Sequence, residues 1–388
     1  MKISILSPNI SNNCVGRSYI FAKILQKHFE VEIVGPAFAN SVWEPIANED
    51  ITFKYVNFSP TILGTASLNK IYNLISGDII FANKPLLTSF GIGLLQKKFK
   101  KKKLILDIDD YEMGFARWNA HKGNFFDYMK YYIFSMIYPY HTISYYNNFV
   151  SEKMIKYADE IIVSNSFLQN KYGGTIIWHG RDTDTFDPKK FDNKSLRLKY
   201  KIDANKIIVM FMGTILPYKG LDDLIDAVGL LNKDNVSLVI VGADKEEINS
   251  QRIVQKAKEQ LKSETVFFNK QPFNLIPEFI AMADVVVIPQ RDNPATVGQM
   301  PAKIFDAMAM AKPIVSTSVS DIPAILDGCG YVVKPDAPNE IAQAISDIII
   351  NPEKARTLGE KAREKCIEKY SWNSIEKEIL NIFNKYKE

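Results

Sequence analysis

Cysteine is scarce. The 388 residues hold three, Cys14, Cys329 and Cys366, too few and too far apart in sequence for a disulfide scaffold or a zinc site. Such usage suits a reducing cytoplasm. No apolar run is long enough to span a membrane, and the opening MKISILSPNISNN has only a few apolar residues before polar ones, too short for a signal peptide. The expectation is a cytoplasmic protein, soluble or peripheral at the inner face of the membrane. Charge of one sign is also lacking: 48 Lys+Arg against 44 Asp+Glu leave a net +4. That balance neither demands nucleic acid, which is not expected as a partner, nor excludes an anionic membrane surface. The dinucleotide fingerprint G-x-G-x-x-G is missing after the first strand, so a nicotinamide or flavin dinucleotide is not supported.

What is present is hydrophobic substance and a regular alternation. Hydrophobic residues make up 46% of the chain, enough for full cores, and the length allows two or three domains. Lys2–Pro8 reads as a strand, Asn9–Gly16 as a loop, Gly16–His28 as a helix and VEIVGP as a second strand. Further on come a strand at Asp78–Ala82, a helix at Leu86–Phe99, and LILD. The pattern restarts with KIIVMFMG, LDDLIDAVGLL, VSLVIVG, a helix from Lys245 to Leu261, TVFF, DVVVIP, a strand at Ile314–Thr317 and YVV. Strands alternating with helices imply an α/β chain with parallel, doubly wound sheets. An Asp-rich, Pro-containing stretch to about Lys190 marks an interdomain connection.

Three stretches carry chemistry. The first is Pro289–Ser318, PQRDNPATVGQMPAKIFDAMAMAKPIVSTS, a loop, a helix expected to begin at Pro301, and a strand. Proline suits a first helical position, and Gly298, Gln299 and Met300 just before it would leave backbone N–H groups for an anion such as a diphosphate. Helical spacing places Lys303 and Asp306 on one side and Phe305, Met308 and Ala309 in packing. The second is DIDDYE: Asp107, Asp109 and Asp110 stand at the C-terminal end of a buried strand, where open α/β sheets place their ligands. Alternating carboxylates there read either as a metal-holding Asp-x-Asp or as ligand contacts without a metal; the phosphate-ready helix start, and the Lys219 that the resemblance described below puts on a diphosphate, would already supply positive potential, and no metal is expected. The third, Phe125–Val150, holds eleven Phe and Tyr near the run KKFKKKK. It reads as a headgroup interface or as rings lining the core and the interdomain cleft. Gly16 and Arg17 occupy a loop-to-helix site where a phosphate could rest, or Arg17 lies in solvent.

The run PAKIFDAMAMAKPIVSTSVSDIPAIL resembles the donor-site signature of the retaining family 4 glycosyltransferases (glycosyl transferases group 1). The resemblance implies the GT-B fold of two facing Rossmann-like domains with a C-terminal crossover helix. It extends to YADEIIVSNSFLQNKYGGTIIWHGRDTDTFDP, where His179, Gly180, Arg181 and Asp182 match the family's Asn-Gly-Val-Asp, and to the closing YSWNSIEKEILNIFNKY. On that basis residues 1–188 form an acceptor-side domain, 189–370 a nucleotide-sugar domain and 371–388 the crossover helix packing back on the first.

Carried over residue by residue, the resemblance puts Lys219 after Gly213 and Thr214 on the donor diphosphate, with Thr214 standing where the family often adds an Arg. It puts Gln271 and Pro272 near the nucleobase and Asp306 where the family's Glu binds ribose hydroxyls. Ala311 replaces a Gly, Ala324 a later Glu, and Gly298 falls on the first Glu of the family's paired-Glu motif. Asp109 or Asp110 would orient acceptor or sugar hydroxyls, and His121 is read as a surface residue. The implied activity is a retaining, metal-independent hexosyltransferase of polysaccharide biosynthesis. It would use a nucleotide-diphosphate sugar as donor substrate, need no cofactor, and act on a glycan, lipid-linked or small-molecule acceptor. The rivals are a sugar-nucleotide epimerase or phosphorylase, and a noncatalytic carbohydrate- or membrane-binding protein of the same fold.

Overall fold

Runs such as KISIL, IIFAN, IIVMFM and VSLVIV are apolar on both faces, as strands buried between two helix layers must be. The computed structural model describes residues 1–387 except 122, 245 and 262–264. In it these runs build two all-parallel sheets. The first contains β1 (Lys2–Leu6), β2 (Glu30–Ala37), β3 (Thr52–Asn57), β4 (Ile79–Asn83), β5 (Lys103–Ile108), β6 (Glu160–Val163) and β7 (Thr175–Ile176), in the order β3-β2-β1-β4-β5-β6-β7. The second contains β8 (Ile207–Met212), β9 (Val236–Val241), β10 (Thr265–Phe268), β11 (Val285–Ile288), β12 (Ile314–Thr317) and β13 (Tyr331–Val333), in the order β10-β9-β8-β11-β12-β13.

Both sheets therefore wind outward from a central strand in each direction, the Rossmann arrangement. Each has a switch point, between β1 and β4 and between β8 and β11, where the crevice beyond the strand ends receives ligands. Register follows from the alternation: Ile3, Ile5 and Leu6 of β1 pair with Val31, Ile33 and Val34 of β2. On the second sheet Val209 and Leu238 sit side by side in a core that also takes Leu224, Ile225, Ile341 and Ile345 from the covering helices.

The chain divides into two compact units, Met1–His179 with Asn293–Met300 and the residues from Ile375 on, and Gly180–Asp292 with Pro301–Ser374. The last helix, Trp372–Phe383, buries Ile375, Ile379, Ile382 and Phe383 on one stripe. In the first unit Phe383 packs 5.4 Å from Phe81 and 6.2 Å from Phe29, while Glu376 holds Lys27 at 2.7 Å and His28 at 2.6 Å.

Several local expectations shift. The helix expected from Leu86 opens as a wide turn over Leu87–Gly91 and becomes α-helical at Ile92–Lys100. The helix expected from Pro301 is regular over Lys303–Ala309, although the Pro301 carbonyl already accepts from Ile304. The expected helix start at Lys245 lies outside the described residues; the helix is described over Ile248–Gln260. Ala311, where the family pattern has Gly, takes a left-handed φ of 52°.

Candidate functional site

In the first unit the chain leaves β4 at Asn83 and turns at Lys84, whose φ is 62°. β5 delivers Asp107, Asp109 and Asp110 beside it, at the switch point of the sheet. Asp107 is fully buried and held by three contacts from Arg17, Nε to Oδ1 at 3.0 Å and to Oδ2 at 2.8 Å and Nη2 to Oδ1 at 2.8 Å, while Asn83 donates to it at 2.8 Å. Arg17 also donates to the Ile177 carbonyl at 2.8 Å and lies 3.4 Å from Nδ1 of buried His179. The guanidinium expected beside a phosphate or in solvent, just after Gly16, is thus committed to Asp107. This pair fixes the end of β5.

The next three carboxylates share one ammonium. Lys84 Nζ lies 2.8 Å from Asp109, 2.7 Å from Asp110 and 2.6 Å from Glu112. Burial acts on each acid, but the partners differ. It pushes Asp109 up to about 6 and Glu112 up to about 7, against the opposing pull of Lys84. For Asp110 burial is outweighed by Lys84 and by a hydrogen bond from Gln299, which together hold it below the ordinary range. The Lys84 ammonium, disfavoured by burial, is held well above its usual pKa by the three acids. Nothing in the sequence singled out Lys84; a lysine one residue past a strand looks like any surface lysine.

The segment Asn293–Met300 belongs with this unit. The Gly298 carbonyl accepts from the Tyr111 N–H at 3.2 Å and from Asn165 Nδ2 at 3.1 Å, and Gln299 Nε2 donates to Asp110 at 3.0 Å. A Cβ at Gly298 would press into Tyr111 and Phe167, so the glutamate of the family pattern has no room here. The Gln299 N–H, expected to await an anion, donates to the Thr296 carbonyl at 3.0 Å, and Met300 is buried. His121, at the end of the helix Glu112–Ala120, is exposed, its Nδ1 2.8 Å from the Arg117 carbonyl.

In the second unit the corresponding switch point carries cations. β8 ends at Met212; Gly213 and Thr214 follow, and Lys219 precedes Gly220, whose φ of 70° and close approach to the Pro289 carbonyl only glycine allows. Lys219 Nζ lies 3.4 Å from Gln290 Oε1 and 5.2 Å from the Tyr218 ring centre. Gln290 is fully buried and its Nε2 has no hydrogen-bond partner among the described residues.

Asp306 is also 1% exposed, with Arg181 Nε on one oxygen and Lys303 Nζ 3.4 Å from the other, which has no hydrogen-bond partner among the described residues. Arg181 is placed by backbone: its N–H donates to the Tyr370 carbonyl and its carbonyl accepts from the Trp372 N–H, each at 2.9 Å. Desolvation by the surrounding protein, with the like charges of Arg181 and Lys219, lowers the Lys303 pKa. Gln271 and Pro272 lie in the loop after β10, where Gln271 Nε2 donates to the Asn269 carbonyl at 3.0 Å. A buried donor and a buried acceptor, each with hydrogen-bonding capacity to spare beside three cations, suit a polar anionic ligand.

Two Rossmann-like units of this topology define the GT-B class of fold. Among solved structures the chain is similar over 99% of its length to Anabaena Alr3699/HepE in complex with UDP-glucose (TM-score 0.78, 18% identity, all of that chain covered). It is likewise similar to sucrose-phosphate synthase of Thermosynechococcus elongatus (TM-score 0.74, 17% identity, 98% of that chain). Residues 192–365 match the family described as glycosyl transferases group 1. It is 24% identical over 387 residues to an uncharacterized glycosyltransferase of Methanocaldococcus jannaschii, covering 95% of this chain and 89% of that one. It is 26% identical over 261 residues to the alpha-maltose-1-phosphate synthase of Mycolicibacterium smegmatis, covering 62% of this chain and 66% of that one. The chain spans only 56% of the corresponding synthase of Mycobacterium tuberculosis.

Proposed function

We propose that the protein transfers a hexosyl group, with retention and without a metal ion, from a nucleotide-diphosphate sugar to a hydroxyl of a glycan, lipid-linked or small-molecule acceptor, in the cytoplasm or at the inner face of the membrane. The observation that carries this reading is the cation group of Lys219, Lys303 and Arg181, with the unsatisfied Gln290 amide, inside the domain that matches the family. Charge grows on the diphosphate as the glycosidic bond breaks, and fixed cations in a partly dry site stabilise that charge most when it is largest. Lys219 and Lys303 supply it, Asp306 accepts ribose hydroxyls, and Gln271 and Pro272 border the base. In the first unit Asp109, an acid with a raised pKa, takes a hydrogen bond from the acceptor hydroxyl, and Asp110 orients it.

The reading is tested with purified protein, a panel of nucleotide sugars and acceptor glycans, following nucleoside diphosphate release and the anomeric configuration of the product by NMR. A uridine sugar is the first choice, since a neighbour of the same fold was solved with UDP-glucose. Product with the donor's configuration is expected. Inversion would overturn retention, an epimerised sugar or free sugar phosphate formed without acceptor would replace transfer by the rival chemistry, and absence of any diphosphate binding would leave a noncatalytic protein.

A further inference from the structure

The helix Phe125–Ile137 shows solvent the wrong side for a soluble protein. Of its thirteen residues only Ser135 is buried, while Phe125, Phe126, Met129, Ile133, Met136 and Ile137 are 42–72% exposed. Steps of three and four residues put most of these on one stripe. The opposite side is already occupied: the Tyr132 ring packs 4.9 Å from Tyr145, the Tyr131 hydroxyl donates to the Ile143 carbonyl at 2.6 Å, and Ser144 Oγ donates to the Ser135 carbonyl at 3.2 Å. The stripe is therefore not simply an interface with the next helix, Tyr145–Met154. That helix adds exposed Tyr146, Phe149 and Val150 of its own.

Cations accompany the exposed rings. Lys153 lies 5.7 Å from the Phe149 ring centre, Lys156 5.3 Å from that of Tyr157 and Lys98 5.5 Å from that of Phe99. Lys97 ties the basic run to this surface through the Tyr157 carbonyl at 2.9 Å. The acidic groups of the same segments have partners: Asp127 caps its helix and lies 3.7 Å from Lys130, Glu152 takes the Tyr172 hydroxyl at 2.5 Å and Lys171 at 3.5 Å, and Asp159 takes Lys97 at 2.7 Å. An apolar stripe edged by lysines, with its nearby acids neutralised, is complementary to a surface of acyl chains under anionic headgroups.

We propose that this face of the first unit docks on an anionic lipid bilayer, with the helix Phe125–Ile137 lying flat in the interface. Thirteen residues rise about 20 Å, short of the roughly 30 Å hydrocarbon core, and none of the described helices is long and apolar enough to cross a membrane. A second copy of the chain is the poorer occupant, because a two-fold contact would set lysines against lysines. The proposal does not rest on the transfer reading.

The test is flotation of the full chain with vesicles of phosphatidylcholine alone or mixed with phosphatidylglycerol, at low and high salt. The variants are Ile133→Glu with Met136→Glu, and Lys98→Gln with Lys153→Gln and Lys156→Gln, each checked for folding by circular dichroism. The wild type should float with phosphatidylglycerol vesicles only, and less at high salt. Each lysine neutralised should lower partitioning about fivefold, and the double glutamate variant should not float. The proposal is overturned if the wild type stays unbound at low salt, if it floats equally without phosphatidylglycerol, or if both variants float like wild type. A concentration-dependent dimer that the glutamates abolish, without flotation, would assign the face to a second copy instead.

Discussion

The two units share a strand order but carry opposite charge at the same topological place. At the β1/β4 switch point four carboxylates, Asp107, Asp109, Asp110 and Glu112, meet two cations, Arg17 and Lys84. In the second unit Lys303 and Arg181 meet one carboxylate, Asp306, and the charge of Lys219 is felt by Lys303. The fold places ligands at both points without choosing them. What differs is the side chain on the first residues past the strands: mainly acids in one unit and mainly cations in the other; under the proposed function the former would orient hydroxyls and the latter neutralise phosphate.

The largest expected effect comes from inverting the anionic half further. Lys84→Met leaves three partly buried carboxylates without their shared counter-charge and should cost about 3–5 kcal/mol of stability, measured by urea unfolding. Because Asp109 and Glu112 already have raised pKa values, they can escape by taking protons. The deficit should therefore shrink at about pH 5 and grow toward about pH 8, as the unfolded chain no longer binds those protons while the folded variant does. A deficit independent of pH would show that the cluster is not coupled through Lys84.

The cationic half is tested by Lys219→Ala, which should slow transfer on the order of a hundredfold or more in steady-state assays. Unchanged kinetics would remove Lys219 from the site. Asp306→Ala should act on donor affinity through the ribose, so a diphosphate lacking ribose should bind as before. Equal weakening of both ligands, measured by calorimetry, would make Asp306 the counter-charge of Arg181 and nothing more.

Much of this contrast was legible in the sequence, and the exceptions have physical causes. Parallel strands announce themselves as apolar runs, so β1, β4, β5, β8, β9 and β11 stand out. β3 does not: TFKYVN is only partly buried at the sheet edge, and its mixed pattern resembles a loop. Asp109 and Asp110 stand out at a strand end and Lys303 and Asp306 by helical spacing, while Lys219 and the role of Asp306 come only with the family resemblance. What could not be read was the partnering. That Arg17 belongs to Asp107, ninety residues away, that Lys84 gathers three acids, or that Gly298 packs on Tyr111 are matters of long-range approach, and spacing along the chain carries no record of them.

A smaller effect should sharpen the cationic side. Lys303 has its pKa lowered chiefly by desolvation and further by the like charges of Arg181 and Lys219, and a bound diphosphate would add an attraction that raises it. Binding should then take up protons near neutral pH, and affinity should fall as pH rises through the free-site pKa toward the bound one. Since the Lys303 side chain keeps 36% exposure, the uptake should be a fraction of one proton. Calorimetry in buffers of different ionisation enthalpy reads it directly, and proton release would reverse the assignment.

The smallest expected effect is that of a chelator. Oxygens of Asp109, Asp110 and Glu112 lie within 4.8 Å of one another, close enough to hold a divalent ion, and such an ion could neutralise a diphosphate as a Lewis acid. Against that reading, the point the three oxygens share is occupied by the Lys84 ammonium at 2.6–2.8 Å from each, so a metal would have to displace a buried cation that the same acids hold charged. A positive charge is present without it. Transfer should therefore proceed unchanged in EDTA, and Asp109→Ala should impair transfer more than nucleotide binding. If activity vanished in chelator and returned with magnesium or manganese, the charge contrast between the units would have to be redrawn, with Lys84 as the occupant of an empty metal site and the aspartates as its ligands.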